Sequence, residues 1–415
     1  MLQEKLLQRF LRYVAVPSQS DAPVQTVPSS EGQRNLAELL KQDLAELGLV
    51  DLEISEYSVL TGKLPAHLPE GCTKEVSAVG WCAHLDTIDI NMSPEIHPQV
   101  VKNYQGGDVC LNAEKGIYIR TAEHPELDKY VGQDIVFTDG TSVLGADNKA
   151  AIANIMVALE TLVTEGRYHG DIYVAFVPDE EIGLRGSKKL YFSKFPVKFA
   201  YTIDCCEQGE VVYQTFNAGT AIVKIKGVSA HPMSAKGVLI NPTLLAVDLV
   251  NMFDRTQTPE CTEGTEGYIW TKSITSNDTY ATVTLDIRDH NKKRYEERKA
   301  EIAENAKKLQ AMYPRAEVSC TITDTYGNIA DAVTDDNKYC IDYIYTAMDK
   351  LGIEPKTLAM RGGTDGSFIS TKGILTPNYF TGGHNFHSNC EFLPLGAMEK
   401  SCRLTLELID LIYNK

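Results

Sequence analysis

Several features are missing from the 415-residue sequence, and each absence argues against a class of protein. No apolar run approaches the roughly 18 to 20 residues that a membrane-spanning helix needs. Basic residues are in the minority, since 56 acidic residues against 40 basic ones give a formal net charge of −16. Such an acidic chain is a poor candidate for binding nucleic acid or an anionic membrane by bulk charge. Because internal repeats and low-complexity tracts are also missing, we expect an ordinary globular protein.

Two further absences concern the cellular compartment. Ten cysteines are scattered between Cys72 and Cys402, with no CxxC pair and no regular spacing, which indicates reduced thiols rather than a disulfide framework. The N-terminal residues form an amphipathic helical pattern with charges throughout, unlike the apolar core and cleavage site of a secretory signal. We therefore expect a cytoplasmic protein.

The distribution of apolar residues predicts two domains. Apolar types make up 43% of the chain and charged types 23%, and the length suits about two cores. Over residues 1–208 and again over 326–415, short apolar strands alternate with helices. This predicts an α/β domain whose mixed, mostly parallel sheet has helices on both faces. Residues 209–325 follow a β-α-β-β-α-β order, which predicts an inserted α+β domain with an antiparallel sheet.

Candidate functional residues follow the predicted strands, where open α/β sheets hold their active sites. His84 and Asp86 end a buried strand, and residues i and i+2 of an extended chain face the same way. A carboxylate commonly orients a metal-bound imidazole, so the pair suits a metal site. A histidine with ordinary hydrogen bonds beside a turn-capping aspartate is the alternative for this segment alone.

Acidic residues follow other elements of the same predicted sheet. Asp147 lies at a strand–loop–helix junction, where an aspartate can also be a helix N-cap. Glu180 and Glu181 come directly after a buried strand and point to different sides, which suits one proton carrier and one ligand; a solvated acidic turn is the alternative. Asp204 ends the next strand beside two cysteines, and there too a structural role is open.

These acids predict a metal centre when they are considered together. Asp147, Glu181 and Asp204 at neighbouring strand ends would bring three negative charges close together, and without compensation one of them would take up a proton. Two Zn²⁺ ions would neutralise this charge, and two histidines would complete roughly tetrahedral sites. Because such an ion pair activates water and stabilises a tetrahedral intermediate, the pattern predicts a hydrolase.

A resemblance to a known family covers nearly the whole chain. The segments that carry it are His84-Leu-Asp-Thr, Gly145-Ala-Asp-Asn-Lys, Pro178-Asp-Glu-Glu-Ile-Gly, Ser229-Ala-His-Pro-Met-Ser-Ala-Lys-Gly, Asp286-Ile-Arg-Asp, Arg361-Gly-Gly-Thr-Asp-Gly and Gly382-Gly-His-Asn-Phe-His. In order and spacing they resemble the di-zinc metallopeptidase family that includes aminoacylase- and carboxypeptidase-type enzymes. The resemblance implies a zinc-exopeptidase-like fold in which the inserted domain is a lid.

The resemblance also implies roles for single residues. The implied metal ligands are His84 and Asp204 for one Zn²⁺, Glu181 and His387 for the other, and Asp147 as the bridge. Asp86 would orient His84, and Glu180 would be the general base. His384 in the same loop is the alternative to His387. Asn148 and Met233 depart from the family pattern, in which an acid and a glycine are often found.

In the inserted domain the resemblance implies contacts with the substrate. His231 would stabilise the developing oxyanion, and Asn217, Arg288 and Arg361 would receive the C-terminal carboxylate of a peptide, for which a guanidinium offers bidentate geometry. A surface histidine before a proline turn is the alternative for His231. An ion pair with a neighbouring aspartate is the alternative for Arg288.

The implied activity is that of the tripeptide aminopeptidases of this family, which release the N-terminal residue of a tripeptide. The implied assembly is a homodimer formed through the inserted domain. A related di-zinc dipeptidase or N-acyl-amino-acid hydrolase is the alternative within the family. A metal-free peptide-binding protein is the alternative outside it.

Overall fold

The computed structural model describes residues 2–415 and divides into two compact units. The first unit runs to Tyr213 and also contains Ala332–Leu358 and Thr364–Lys415. The second unit consists of Gln214–Asp331 and Ala359–Gly363. The predicted domain boundaries, and the lid and dimerisation roles of the inserted domain, stay predictions.

The helices and strands have the following bounds. The helices are α1 Leu2–Val14, α2 Glu31–Glu46, α3 Ala146–Glu165, α4 Pro242–Val250, α5 Lys292–Met312, α6 Tyr339–Lys350, α7 Asp365–Ser370 and α8 Leu395–Asn414. The strands are β1 Val50–Ile54, β2 Leu60–Leu64, β3 Val79–His84, β4 Gln99–Val101, β5 Val109–Asn112, β6 Ile117–Ile119, β7 Ile135–Phe137, β8 Ile172–Val177, β9 Phe199–Cys205, β10 Glu210–Gln214, β11 Asn217–Lys226, β12 Tyr268–Ser276, β13 Tyr280–Asp289, β14 Glu317–Tyr326, β15 Lys356–Ala359, β16 Asn378–Phe380 and β17 Phe392–Pro394.

A mixed sheet forms the centre of the first unit. Among the described residues it has eight strands in the order β1-β2-β8-β3-β9-β16-β10-β15. The central strands β8, β3, β9 and β16 are parallel, whereas β1, β2 and β10 pair antiparallel with their neighbours. Every residue of β3 is buried, as expected for a central strand covered on both faces. The carboxyl ends of β8, β3 and β9 therefore lie side by side.

Helix α3 packs against this sheet and begins at the Asp147 junction. It contacts β3 and β9 on one side and α1 and α8 on another, and it is apolar around most of its circumference. A helix that is apolar all round belongs in a core. Asp147 and Asn148 at its start have non-helical backbone angles, so the regular helix begins after them.

The second unit has the predicted β-α-β-β-α-β order. Its antiparallel sheet has the strand order β12-β13-β11-β14, and α4 and α5 pack on it. Alternate residues of β11, namely Ala221, Val223 and Ile225, are buried in the core of this unit, while the residues between them face away. This alternation is typical of a sheet with one covered face.

The predicted fold class is confirmed, although one strand near the edge of the large sheet lacks a clear sequence pattern. Strand β2 contains Gly62 and pairs with β8 in an antiparallel register. A Cβ at position 62 would lie 2.5 Å from Leu52 Cδ2, so a side chain there would displace the end of Leu52. Since glycine is unfavourable in strands, the sequence pattern does not indicate this pairing.

Among residues 2–415, none of the helices combines the length and the apolar character that a membrane span requires.

We predict that Gly80→Ala destabilises the strand that carries His84. The ring of Phe195 fills the space beside Gly80, and a Cβ there would lie 2.2 Å from its Cζ atom. Overpacking of this kind costs about 1–3 kcal/mol, which denaturant unfolding would measure. Phe195→Leu in the same background should recover part of the loss. An unchanged unfolding midpoint for Gly80→Ala would contradict this packing.

Candidate metal centre

The candidate ligands of the first unit converge at the carboxyl ends of the central strands. His84 is the last residue of β3 and is in register with Val177, the last residue of β8. Glu181 follows β8 by four residues, and Asp204 is near the end of β9. Because these strands are parallel neighbours, residues that are distant in the sequence reach the same edge.

Asp147 lies between two histidines and contacts each through a different oxygen. Its Oδ1 is 2.9 Å from His84 Nε2, and its Oδ2 is 3.1 Å from His387 Nε2. The two imidazoles therefore lie on opposite sides of one carboxylate. This is the geometry of a group that can serve two centres at once.

The remaining acids divide between these two sides. Glu181 Oε1 is 3.0 Å from His387 Nε2, while Asp204 Oδ1 is 3.9 Å from His84 Nε2. Ligand atoms of His84, Asp147 and Glu181 all lie within 4.8 Å of one another, close enough to surround an ion. The structure thus brings all five predicted ligands together in two groups that share Asp147.

Asp86 connects His84 with the acidic turn after β8. Its Oδ1 accepts the backbone N–H of Glu180 at 3.0 Å, and its Oδ2 accepts that of Glu181 at 3.2 Å. His84 Nδ1 lies 3.0 Å from the carbonyl oxygen of Asp86 and 3.4 Å from its Oδ1. These contacts place one proton on Nδ1 and leave Nε2 as the ring nitrogen that faces Asp147.

Burial and like charge shift the pKa values of the acids. Burial, followed by the charge of Asp147, raises the pKa of Glu181 to about 7 and the pKa of Asp204 well above its usual range. Burial also raises the pKa of Asp147, but hydrogen bonds from His387 and His84 outweigh it and hold the pKa below the usual range. The acids therefore need nearby positive charge to remain ionised.

The histidines show the complementary shift. Burial lowers the pKa of His84, but its hydrogen bonds to Asp147 and Asp86 outweigh burial and raise the pKa well above normal. The pKa of His387 is raised for the same reason, through Asp147 and Glu181. The contacts of both imidazoles with the carboxylates therefore favour positive charge at this edge of the sheet.

The donor set fits divalent cations. Glu181 Oε1 is buried and forms no hydrogen bond among the described residues; its contact with His387 Nε2 at 3.0 Å is an ion pair. Asn148 Oδ1 is also buried without a hydrogen bond among those residues. A buried carboxylate oxygen without a hydrogen bond is costly unless a cation lies beside it. Carboxylate oxygens and imidazole nitrogens at this spacing are ligands that Zn²⁺ and related ions accept.

The two histidines of the glycine-rich loop lie in different environments. His387 faces Asp147 and Glu181. His384 is buried, stacks on Phe392 with ring centroids 4.7 Å apart, and places Nε2 2.6 Å from the hydroxyl of Tyr130. Burial lowers the pKa of His384 to about 4. The geometry therefore favours His387 over His384 as the ligand.

In the second unit, Asn217 and Arg361 are engaged by the chain itself. Asn217 donates to Asp331 Oδ2 at 3.0 Å and accepts the backbone N–H of Asn328. Arg361 donates to the carbonyl oxygens of Gly264 and Glu266 and to the Thr262 hydroxyl. Its guanidinium also lies over the rings of Phe216 and Tyr268, 5.3 and 5.5 Å from their centroids. Both residues stabilise this unit as it stands.

Arg288 and His231 have fewer partners in the second unit. Arg288 is in register with Tyr268 of the neighbouring strand. Its Nη2 atom lies 3.4 Å from Asp286 Oδ2, so it forms the ion pair that was the alternative role for this residue. His231 is exposed, and its Nδ1 accepts the backbone N–H of Met233 at 3.2 Å. The ring proton of a neutral His231 therefore resides on Nε2, which is free to donate.

Three residues near the candidate ligands were not assigned from the sequence. Asn148 donates to Asp204 Oδ1 at 3.0 Å, a bond that an ionised acid at this position could not make. Asp365 is buried at the start of α7 with its Oδ1 unpaired among the described residues, and burial raises its pKa to about 7. Glu391 accepts three backbone N–H groups around Asp147. A single acid in a loop carries no periodic signal, so only its position after His387 could have indicated Glu391.

Comparison with known proteins defines the class to which this fold and site belong. Residues 145–411 match the family described as "Peptidase family M20/M25/M40". The chain belongs to this peptidase family, and it is a hydrolase.

The most similar relatives cover the full length of the chain. A peptidase T-like protein of Yersinia pestis is 53% identical over 404 residues, which are 97% of each chain. Peptidase T of Caldanaerobacter subterraneus subsp. tengcongensis is 39% identical over 412 residues, 99% of each chain. Among solved structures, aminopeptidase PepT of Bacillus cereus and a tripeptidase of Staphylococcus aureus are 19% and 20% identical. Each has a TM-score of 0.73 and covers 100% of this chain and 99% of its own, which shows a shared fold.

The different environments of His384 and His387 generate a prediction. His387→Ala should lower the amount of metal bound per chain, because it removes an imidazole from the cluster. His384→Phe should retain the metal, since a phenyl ring can stack on Phe392 in the same place. Elemental analysis after gentle purification measures both variants. Loss of metal from His384→Phe but not from His387→Ala would reverse the assignment.

Proposed function

We propose that this protein is a di-zinc aminopeptidase that releases the N-terminal residue of tripeptides. The observation that carries the proposal is the carboxylate of Asp147, whose two oxygens face two separate groups of ligands. Membership of the peptidase family supports a hydrolytic role for this cluster. The names of the relatives, peptidase T and tripeptidase, support the substrate class.

The donor atoms support two cation positions that share one carboxylate. His84 and Asp204 would hold one Zn²⁺, Glu181 and His387 the other, and Asp147 would bridge them. When bound, two such ions lower the pKa of a shared water and stabilise the developing oxyanion of the scissile carbonyl. A related solved structure, the YxeP protein of Bacillus subtilis, is described as a dinuclear metal-binding peptidase, which agrees with two ions.

Glu180 is the residue we assign as general base. It is 8% exposed, and Asp86 accepts its backbone N–H, which fixes the start of its side chain beside the ligands. Burial is the largest cause that raises the pKa of Glu180 well above its usual value. A carboxylate with a raised pKa takes a proton from water more readily and can later give it to the leaving amine.

His231 suits the role of oxyanion donor. Its Nδ1 is occupied by the N–H of Met233, so Nε2–H remains for a substrate oxygen. For the C-terminal carboxylate of a tripeptide, Arg288 is the receptor with the least occupied guanidinium, since its contacts to Ile287 and Asp286 are 3.3 and 3.4 Å long. Asn217 and Arg361 remain proposed receptors that would have to exchange the partners they have here.

The remaining attributes are proposals as well. Zinc as the bound ion rests on the nitrogen and oxygen donor set, and a cytoplasmic location rests on the scattered cysteines, all of which are free in the structure. A homodimer formed through the inserted domain rests on the family resemblance alone. A dipeptidase or N-acyl-amino-acid hydrolase remains the alternative within the family.

Glu180→Gln tests the general base. The amide keeps the size of the side chain but cannot accept a proton, so we expect retained metal and a fall in kcat of about 10²–10⁴-fold. Steady-state kinetics and elemental analysis give the two readouts. Glu160→Gln, at a residue of α3 that pairs with Lys5 and Arg9, is a matched control and should leave kcat unchanged. Activity of Glu180→Gln close to that of the unaltered enzyme would make the assignment wrong.

Peptide length tests the substrate class. A receptor at a set distance from the scissile bond favours one chain length, because its buried charge is left unpaired by peptides of another length. We therefore expect kcat/KM to be highest for tripeptides in a series of di-, tri- and tetrapeptides and N-acetylated amino acids. Dominant turnover of dipeptides or N-acetyl compounds would favour the alternative enzymes instead.

A further inference from the structure

A buried glutamate that has no assigned role lies behind the candidate metal centre. Glu391 is 1% exposed and follows His387 by four residues, directly before β17. Its Oε2 accepts the backbone N–H of Leu144 at 2.6 Å and of Gly145 at 2.9 Å, and its Oε1 accepts that of Asp147 at 3.2 Å. Both carboxylate oxygens therefore accept hydrogen bonds from the loop that carries Asp147.

The N–H groups of Leu144, Gly145 and Asp147 in this loop all bond to Glu391. Gly145 has left-handed backbone angles, φ 74° and ψ 24°, and no side chain that could cap the start of α3. Backbone N–H groups at a helix start need an external acceptor, and successive N–H groups in such a turn form a concave site for an anion. The carboxylate of Glu391 fills that site from more than 240 residues away.

Only a carboxylate meets this requirement fully. A glutamine would offer one oxygen and an NH₂ group, and the NH₂ group would face a backbone N–H that also donates. An acid at this place is otherwise unfavourable, because its charge adds to that of the other carboxylates nearby. At position 391, the need of the three backbone N–H groups for acceptors therefore outweighs the repulsion between Glu391 and the neighbouring carboxylates.

Glu391 joins two candidate ligands that are 240 residues apart in the sequence. It holds the backbone of Asp147, while its own loop carries His387, whose Nε2 contacts Asp147 Oδ2 at 3.1 Å. On the other side of that loop, His384 pairs through its backbone with Phe392, the residue after Glu391. A shift of the Glu391 side chain would change the position of Asp147 relative to His387.

We propose that Glu391 is a positioning residue that sets the distance between Asp147 and His387 and thereby the affinity for the bound metal. The inference rests on the proposed metal site. The rival explanation is that Glu391 stabilises the fold of the loop and has no influence on the ions.

The experiment compares Glu391→Gln with the unaltered full-length protein. After removal and return of metal, competition with a chromogenic chelator measures Zn²⁺ affinity, and the absorption spectrum of the Co²⁺-substituted protein reports ligand geometry. We expect a loss of affinity of about 10- to 100-fold and an altered Co²⁺ spectrum, because a group that orients a ligand has been removed.

Asp43→Asn is a matched control. Asp43 is also a buried carboxylate of the first unit, and it accepts bonds from Arg9, Arg12 and Tyr13 instead of from the metal loop. This variant should lose thermal stability but keep the metal affinity and the Co²⁺ spectrum of the unaltered protein. The control separates general destabilisation from a change at the ions.

Glu391→Asp provides a second variant that keeps the charge but shortens the side chain. We expect it to show a smaller loss of metal affinity than Glu391→Gln, and it decides the matter if Glu391→Gln does not fold. Unchanged affinity and spectrum in the variants that fold would overturn the inference and leave a structural role. If the unaltered protein itself bound neither Zn²⁺ nor Co²⁺, the proposed metal site would be wrong instead.

Discussion

The first unit depends on the neutralisation of like charge at one edge of its sheet. Asp147, Glu181 and Asp204 are gathered where burial and mutual repulsion raise the pKa values of two of them. Two imidazoles from distant parts of the chain lie within hydrogen-bond distance of the two oxygens of Asp147, and these contacts favour positive charge there. Such a cluster is costly for a protein that has no cation to place there, which is why its geometry supports a binding site more strongly than any single residue does.

Two further carboxylates have a different role, because their oxygens accept hydrogen bonds from backbone N–H groups. Asp86 accepts the N–H groups of Glu180 and Glu181, and Glu391 accepts those around Asp147. The candidate site therefore has an inner set of acids that face the proposed ion positions and an outer set that fixes the segments carrying them. Outer contacts of this kind orient ligands and adjust how strongly a metal is held.

The four residues of the second unit that the family resemblance implied as substrate contacts differ in how many donors they have free. Arg361 and Asn217 are occupied by the chain's own carbonyl, hydroxyl and carboxylate groups, whereas Arg288 and His231 retain donors. The relative that is 53% identical is named only as peptidase T-like, whereas the relatives named peptidase T are more distant. The proposed metal cluster and the proposed substrate contacts are therefore independent assignments, which different measurements test.

The sequence by itself determined the two kinds of sheet, the helices that cover them and the residues that meet at the strand ends, because periodic apolar patterns and strand-end acids are local signals. It could not decide between His384 and His387, which lie three residues apart in one loop and differ only in what surrounds them. Nor could it show strand β2 around Gly62, the groups that occupy the guanidinium of Arg361, or the hydrogen bonds of Glu391. Each of these depends on atoms brought together from distant parts of the chain. Only the tertiary structure decides whether a polar side chain meets another ligand, a backbone N–H or an aromatic ring.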